Sequence, residues 1–87
     1  MNLDEIVNCL DKHGRRATYG AVGGIVGLPA RSVMHGRPKT TLNSWVVAKR
    51  DGKPSGFEVE QRDPRIALSS APLSTPQELL TWLKSVQ

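Results

Sequence analysis

Apolar residues recur with helical spacing at both ends of the chain. From Leu3 to Leu10 they follow i, i+3, i+4, i+7 spacing, with acidic residues in the first turn of the predicted helix and basic residues in its last turn. Near the other end, Thr75 and Glu78 flank Pro76 in the pattern of a capping box, and an apolar series follows. These patterns predict an amphipathic N-terminal helix and a C-terminal helix over residues 75–86.

A stop-and-restart pattern lies between these helices, in residues 18–36. Thr18 is suited to cap a helix that begins at Tyr19, because its hydroxyl can accept from a free amide of the first turn. Gly27 can adopt the left-handed conformation that ends a helix, and Pro29 suits the first position of the next. The segment therefore predicts a helix-turn-helix, whose second helix typically enters a groove of DNA.

Three glycines fall within the first helix of this predicted motif, at Gly20, Gly23 and Gly24. Each lowers helix propensity by about 1 kcal/mol relative to alanine. Such positions require either close packing against another part of the fold or the close approach of a bound partner.

A basic loop and a predicted wing follow, over residues 37–60. The run Trp45-Val46-Val47-Ala48 is β-prone, residues 49–56 contain an Asp-Gly turn pair, and Phe57-Glu58-Val59 can return as a second strand. The pattern predicts a β-hairpin, and a brief third strand at Ile66-Ala67-Leu68. The expected fold class is therefore α+β and mostly helical: a small winged-helix-like domain with a short β-hairpin and a C-terminal helix.

Length and composition restrict the function classes. The 87 residues fit one domain, 1–87, and no apolar run approaches the roughly 20 residues that span a bilayer. A single cysteine, Cys9, excludes an internal disulfide, and with His13 it offers only two metal ligands. We therefore expect a cytoplasmic, soluble monomer with no metal, no cofactor and no membrane partner.

Charge is distributed unevenly along the chain. Residues 12–53 hold nine basic residues and one acid, a balance of +8, whereas the flanks sum to −4. A polyanion-binding face produces such asymmetry, because neutralised phosphates release counterions. Soluble domains that bind no nucleic acid also carry basic surfaces, so charge alone does not decide between the two interpretations.

Candidate DNA contacts are the basic, hydroxyl, amide and aromatic side chains in and around the predicted motif. Those before the helix are placed to meet a phosphate near its positive end. Those of the loop and wing tip can reach the phosphate backbone. The set is Arg15, Arg16, Thr18, Tyr19, Arg31, Ser32, Arg37, Lys39, Asn43, Ser44, Trp45, Lys49 and Arg50.

Several short motifs resemble one family, the C-terminal domain of alkylguanine-DNA alkyltransferases together with the non-enzymatic alkyltransferase-like proteins. The resemblance covers about half of the chain, residues 14–57, and depends on the order and spacing of the motifs. It implies a winged-helix domain that binds the DNA minor groove and rotates a damaged guanine out of the stack. The motifs are Arg16-Ala17-Thr18-Tyr19-Gly20, Gly27-Leu28-Pro29, Ala30-Arg31-Ser32-Val33, Trp45-Val46-Val47, Asp51-Gly52 and Gly56-Phe57.

The resemblance implies roles for two residues. Tyr19 resembles the family tyrosine that presses on the phosphate of the rotated nucleotide, and Arg31 resembles the arginine that fills the space left by the base. Flipping costs a few kcal/mol of stacking and pairing, which an inserted guanidinium and a repositioned phosphate partly offset. A boundary tyrosine and a solvated helix arginine are the alternatives.

The enzymes of this family carry Pro-Cys-His-Arg before two valines, and the alkyltransferase-like proteins usually have tryptophan in place of that cysteine. The corresponding stretch here is Leu42-Asn43-Ser44-Trp45, so Asn43 stands at the cysteine position. Alkyl transfer needs an activated cysteine with a base beside it, and this stretch has neither. The sequence therefore predicts a non-enzymatic protein that binds double-stranded DNA, and the resemblance extends this to altered or flipped bases.

Two other function classes stay open. A protein-interaction module that kept the fold without binding DNA would be favoured by an exposed Trp45 or Trp82. A hydrolase using Ser44 or His35 lacks any recognisable set of base and orienting group in the sequence.

Overall fold

The structure is a computed structural model that describes residues 1–86. Three α-helices and a two-stranded parallel sheet build the described part, which confirms an α+β, mostly helical fold. Short 3-10 helices connect them at Ala30–Ser32, Leu42–Trp45, Val59–Gln61 and Pro64–Leu68. The main elements are α1 (Leu3–His13), β1 (Ala17–Thr18), α2 (Tyr19–Val26), β2 (Val46–Val47) and α3 (Pro76–Val86).

The helix ends follow their local sequence. Asn2 and Glu5 form a reciprocal capping box at the start of α1, and Gly14 ends that helix at a φ of 63°. Thr18 accepts from the amide of Ala21 and caps α2, as predicted. The predicted capping box of α3 is also confirmed, because the Thr75 hydroxyl accepts from the Glu78 amide while the Glu78 carboxylate accepts from the Thr75 amide.

The predicted second helix of the helix-turn-helix, Pro29 to His35, is wrong as an α-helix. Gly27 ends α2 in the left-handed conformation, but Pro29 is extended and only the 3-10 turn Ala30–Ser32 follows. The segment is too short to repay the cost of nucleating an α-helix, so i→i+3 hydrogen bonds replace the α-helical ones. Arg31 therefore projects from a tight turn rather than from a recognition helix.

The sheet joins distant parts of the chain. Ala17 and Thr18 of β1 pair in parallel with Val46 and Val47 of β2. On its other side, Ala17 forms a parallel bridge to Leu73, where the Thr18 amide donates to the Leu73 carbonyl at 2.9 Å. β1 is thus the centre of the fold and is completely buried.

The predicted β-hairpin is wrong. β2 takes its partner from β1, and residues 57–59 form no strand; Val59 begins a 3-10 helix instead. The Asp-Gly turn does form, since the amides of Ala48 and Gly52 donate within residues 48–53 at 2.9 and 2.8 Å. Pro54 follows directly and cannot donate a ladder hydrogen bond, so the chain leaves the turn without returning along β2.

The predicted third strand, Ile66 to Leu68, is also wrong, because these residues lie in the 3-10 helix Pro64–Leu68. Asp63 caps that helix by accepting from the amide of Arg65 at 2.9 Å. Proline at the first helical position favours the helical start over an extended one. No helix within residues 1–86 has the length and apolar character to cross a membrane.

One core unites all three helices and both strands. Its largest member, Trp45, is completely buried, donates from Nε1 to Asp11 at 2.9 Å and lies under the Arg65 guanidinium at 5.1 Å. Truncating a buried tryptophan typically costs about 3–5 kcal/mol, so Trp45 is a principal anchor of the fold. The core consists of Ile6, Val7, Leu10, Ala17, Ala21, Val22, Val33, Trp45, Val46, Leu73, Leu79 and Leu83.

Candidate nucleic-acid interface

A cleft of about 970 Å³ opens where the starts of α2 and α3 meet residues 30–35 and 48–50. We call it the basic cleft, because it is lined by Arg31, His35, Lys49 and Arg50. No carboxylate is among the described side chains that line it. The cleft has the size of a small-molecule site and a lining of one charge sign, which is suited to an anionic ligand.

The basic side chains of the basic cleft are largely unengaged by the rest of the fold. Arg31, His35 and Lys49 are exposed and make no side-chain hydrogen bond or ion pair within residues 1–86. Arg50 has only a 3.9 Å ion pair to Asp51, at the edge of the accepted distance for such a pair. Arg31, His35 and Lys49 are therefore available to a ligand without loss of internal contacts, and Arg50 would lose at most one exposed ion pair.

Tyr19 connects the basic cleft to the loop that carries two of its cations. Its ring lies at the cleft surface, and its hydroxyl accepts a hydrogen bond from the Ser55 amide at 2.8 Å. The hydroxyl proton is left free to donate to a ligand, since that bond uses only an oxygen lone pair. Tyr19 thus anchors the loop and lines the site at once.

Arg15 and Arg16, expected to anchor phosphates, are engaged by the protein itself. Arg16 donates from Nη1 to the Gly52 carbonyl at 2.7 Å and from Nη2 to the Ser70 carbonyl at 3.0 Å. Arg15 donates to the carbonyl of Ala71 at 3.2 Å. Arg16 therefore clamps the turn that carries Lys49 and Arg50, and neither arginine lines the basic cleft.

Three further predicted contacts, in the 3-10 turn and in the loop after it, also lie outside the basic cleft. Arg37 forms an ion pair with Asp4 of α1, which holds the loop against that helix. Lys39 is exposed, with its aliphatic chain beside Gly56, and Ser32 is half-buried. Of these three, Lys39 alone presents an exposed charge.

The three residues at 43–45 are interior. Asn43 donates from Nδ2 to the Pro38 carbonyl at 2.8 Å, while its Oδ1 has no partner within the described residues. The Ser44 hydroxyl donates to the Thr41 carbonyl at 2.5 Å and accepts from the Asp63 amide at 3.0 Å. Position 43, which the family resemblance aligns with the reactive cysteine, is thus buried and does not line the basic cleft.

The hydrolase alternative gains no geometric support. Ser44 is buried and already bonded, whereas His35 lies at the basic cleft. Cys9 is half-buried in α1, and burial raises the pKa of its thiol, which disfavours the reactive thiolate. Within residues 1–86 no group of three potential ligands is arranged to hold a metal ion.

An ion-pair cluster holds the 3-10 helix Pro64–Leu68 against α1, where Arg65 also lies over the Trp45 ring. Arg65 donates from Nη2 to Asp63 at 2.7 Å and to Asp11 at 2.9 Å. The side-chain hydrogen bond from Arg65 lowers the pKa of Asp63, and the same bond raises the pKa of Arg65. This cluster is structural, since its charges are paired with one another.

The sequence predicted some of the residues that line the basic cleft but not others. Tyr19, Arg31, Lys49 and Arg50 were predicted and are brought together, and Thr18 lines the edge although its hydroxyl is used for capping. The contribution of α3, through Ser74, Thr75 and Pro76, was missed. Only the close packing of α2 on α3 brings it there, and no local pattern reports that packing.

No protein-family model matches the sequence, and comparisons with curated proteins and with solved structures likewise gave no significant match.

Proposed function

We propose that this protein is a non-enzymatic DNA-binding protein, of the kind represented by the alkyltransferase-like proteins, and that it contacts DNA through the basic cleft. The observation that carries the proposal is that Arg31, Lys49 and Arg50 line one cleft, with no carboxylate among the described lining residues. Tyr19 and Arg31, the two residues to which the family resemblance gives DNA roles, share this cleft. We also propose that the fold is related to the winged helix, with the loop of residues 48–56 in the position of the wing.

Electrostatics supports a polyanionic partner. Arg31, Lys49 and Arg50 line one concavity, so their positive potentials add within it. Each phosphate that such a group neutralises releases counterions, which supplies affinity independent of base sequence. Arg31 at the tip of a tight turn is the exposed group best placed to follow a groove.

Sensing of altered bases is the finer part of the proposal. Because Asn43 is buried, contacts to a rotated base must come from the cleft residues themselves, such as Tyr19 and Met34. An aromatic and a flexible thioether offer a sequence-tolerant apolar surface for a base. Preference for a modified base therefore depends on cleft shape rather than on the position that is cysteine in the enzymes.

The test is duplex binding by fluorescence anisotropy across a salt series, with 5′-hydroxyl duplexes that contain either intact or alkylated guanine. Three engaged cations give a slope of about −3 in a plot of log K against log salt. Arg31→Gln should reduce this slope by about one, since it removes one charge without touching the core. Lys12→Gln, on the outer face of α1, is the matched control and should leave the slope unchanged.

Comparison of the duplexes with intact and alkylated guanine distinguishes general DNA binding from base sensing. Tighter binding to alkylated guanine supports base sensing, and equal binding leaves a general DNA-binding protein. Absence of binding at low salt overturns the proposal as a whole.

A protein-interaction module is the second candidate. Trp45 is completely buried, so it supplies no docking surface, but Val59 and Leu68 are 75% and 91% exposed. Both lie in short 3-10 helices of the segment between β2 and α3. This candidate gains weight if DNA binding is absent while Leu68→Ser leaves the fold intact.

A further inference from the structure

Gly20 is the one glycine of α2 that packing does not explain. A Cβ at Gly23 would lie 2.4 Å from the Leu28 carbonyl oxygen, and one at Gly24 would lie 2.2 Å from the Pro76 ring. At Gly20 the nearest heavy atom would be the Thr18 hydroxyl, at 4.0 Å. Gly20 is exposed and lines the basic cleft, so the missing side chain leaves open space on the ligand side.

The charges around this opening suit a compact, highly charged anion. Arg31 lines the cleft from the 3-10 turn Ala30–Ser32, and Lys49 and Arg50 line it from the loop after β2. A terminal phosphate carries about −1.5 to −2 charges at neutral pH, whereas a phosphodiester within a strand carries one. Several cations that line one cleft therefore favour the phosphate monoester over the diester.

The shape of the basic cleft also favours a phosphate monoester. Phosphodiesters of a duplex lie along a convex surface, and an open cleft of about 970 Å³ has room for a chain end or a free small molecule. Ala30, Met34 and Pro76 supply an apolar part of the lining beside the cations. An organic group attached to the phosphate would therefore also find contacts.

We infer that the basic cleft binds a phosphate monoester, with the phosphate between Arg31 and Lys49 and against the backbone at Gly20. The monoester has two sources with the same chemistry: the 5′-phosphate end of a DNA strand or a free phosphorylated small molecule. The inference deepens the proposed function, on which its DNA arm rests, and the small-molecule arm is independent of it.

The small-molecule arm compares deoxyadenosine 5′-monophosphate with deoxyadenosine by amide chemical-shift titration. The nucleotide should bind at least about tenfold more tightly, because several exposed ion pairs of modest strength act together. Shifts should concentrate at Gly20, Arg31 and Lys49.

The DNA arm compares one blunt duplex with 5′-phosphate ends and the same duplex with 5′-hydroxyl ends, at one salt concentration. A preference for the phosphorylated duplex of about tenfold identifies a strand end as ligand. A preference in the nucleotide arm alone identifies a free small molecule.

Four variants test the geometry. Arg31→Gln and Lys49→Gln should each abolish most of the monoester preference, while Lys53→Gln, an exposed charge of the same turn outside the cleft, should retain it. Gly20→Ala should weaken monoester binding although it does not destabilise the fold, because its methyl group occupies the open space.

Equal binding of phosphorylated and unphosphorylated ligands in both arms overturns the inference. So does a loss with Lys53→Gln as large as that with Lys49→Gln, or unchanged monoester binding by Gly20→Ala. Binding of the 5′-hydroxyl duplex reports on the proposed function separately, so either conclusion can fail while the other stands.

Discussion

Single glycine-to-alanine substitutions in α2 should have opposite effects on stability, although the three sites lie within five residues. At Gly20 the added methyl group meets only the Thr18 hydroxyl at 4.0 Å, which is an ordinary contact distance. Alanine is favoured over glycine within a helix by about 1 kcal/mol. Gly20→Ala should therefore stabilise the protein by about that amount and raise its Tm by roughly 4–8 °C.

At Gly23 the same change should destabilise the fold. The methyl carbon would lie 2.4 Å from the carbonyl oxygen of Leu28, whose own amide is bonded to the Gly23 carbonyl at 3.0 Å. Overpacking of this kind costs about 1–3 kcal/mol, and a clash with fixed backbone belongs at the upper end. After subtracting about 1 kcal/mol of helix propensity, a net loss of about 2 kcal/mol remains.

The assay is urea unfolding followed by tryptophan fluorescence, since Trp45 is completely buried and its environment changes on unfolding. The two variants should differ by about 3 kcal/mol in the free energy of unfolding, with equal m-values. Gly24→Ala, which meets the rigid ring of Pro76, should resemble Gly23→Ala. If Gly23→Ala proved as stable as the parent, or Gly20→Ala less stable, the packing argument would be refuted.

Two further predictions concern the contacts around the core. Arg16→Lys keeps the charge but loses the hydrogen bonds to two carbonyls, so it should destabilise the protein by about 1.5–3 kcal/mol. Hydrogen exchange should become faster at the Gly52 amide but not at the amides of α1. An equal acceleration at all amides would contradict a local role for Arg16. Because Arg65 lowers the pKa of Asp63, the carboxylate contributes stability above its unfolded pKa, and that contribution is lost as pH falls through the lower folded pKa. Asp63→Asn should therefore lower the free energy of unfolding at pH 7 and make that free energy less dependent on pH in acid. The measurement is urea unfolding at pH 7 and at a pH below the folded pKa of Asp63. A stronger pH dependence in the variant would contradict the predicted sign.

Local features of the fold could be predicted from sequence because neighbouring residues determine them. The caps at Thr18 and Thr75 and the left-handed Gly27 depend on side chains within three or four positions, and the structure confirms all three. Pairing across the chain depends on the whole core. Val46-Val47 is β-prone beside any partner, and nothing nearby indicates that its partner is Ala17-Thr18 rather than residues 57–59.

The same distinction explains the candidate site. Exposed cations such as Arg31 and Lys49 were predicted from charge, and they do line one cleft. Arg16 has the same charge but is bound to two carbonyls, one of them 54 positions away in the chain. Residue type alone does not distinguish an arginine that is free to bind a ligand from one that is hydrogen-bonded within the fold.

The central position of β1 has a consequence for how the protein is made. Ala17 finds its two backbone neighbours at Val46 and Leu73, both synthesised later than β1 itself. An emerging chain therefore holds its innermost strand without either partner until most of the sequence has left the ribosome. Contacts of such large sequence separation slow folding, and the nascent segment around β1 exposes unpaired backbone in the meantime. We expect β1 to gain its second backbone partner only after residue 73 has emerged, and association with chaperones to be greatest before then.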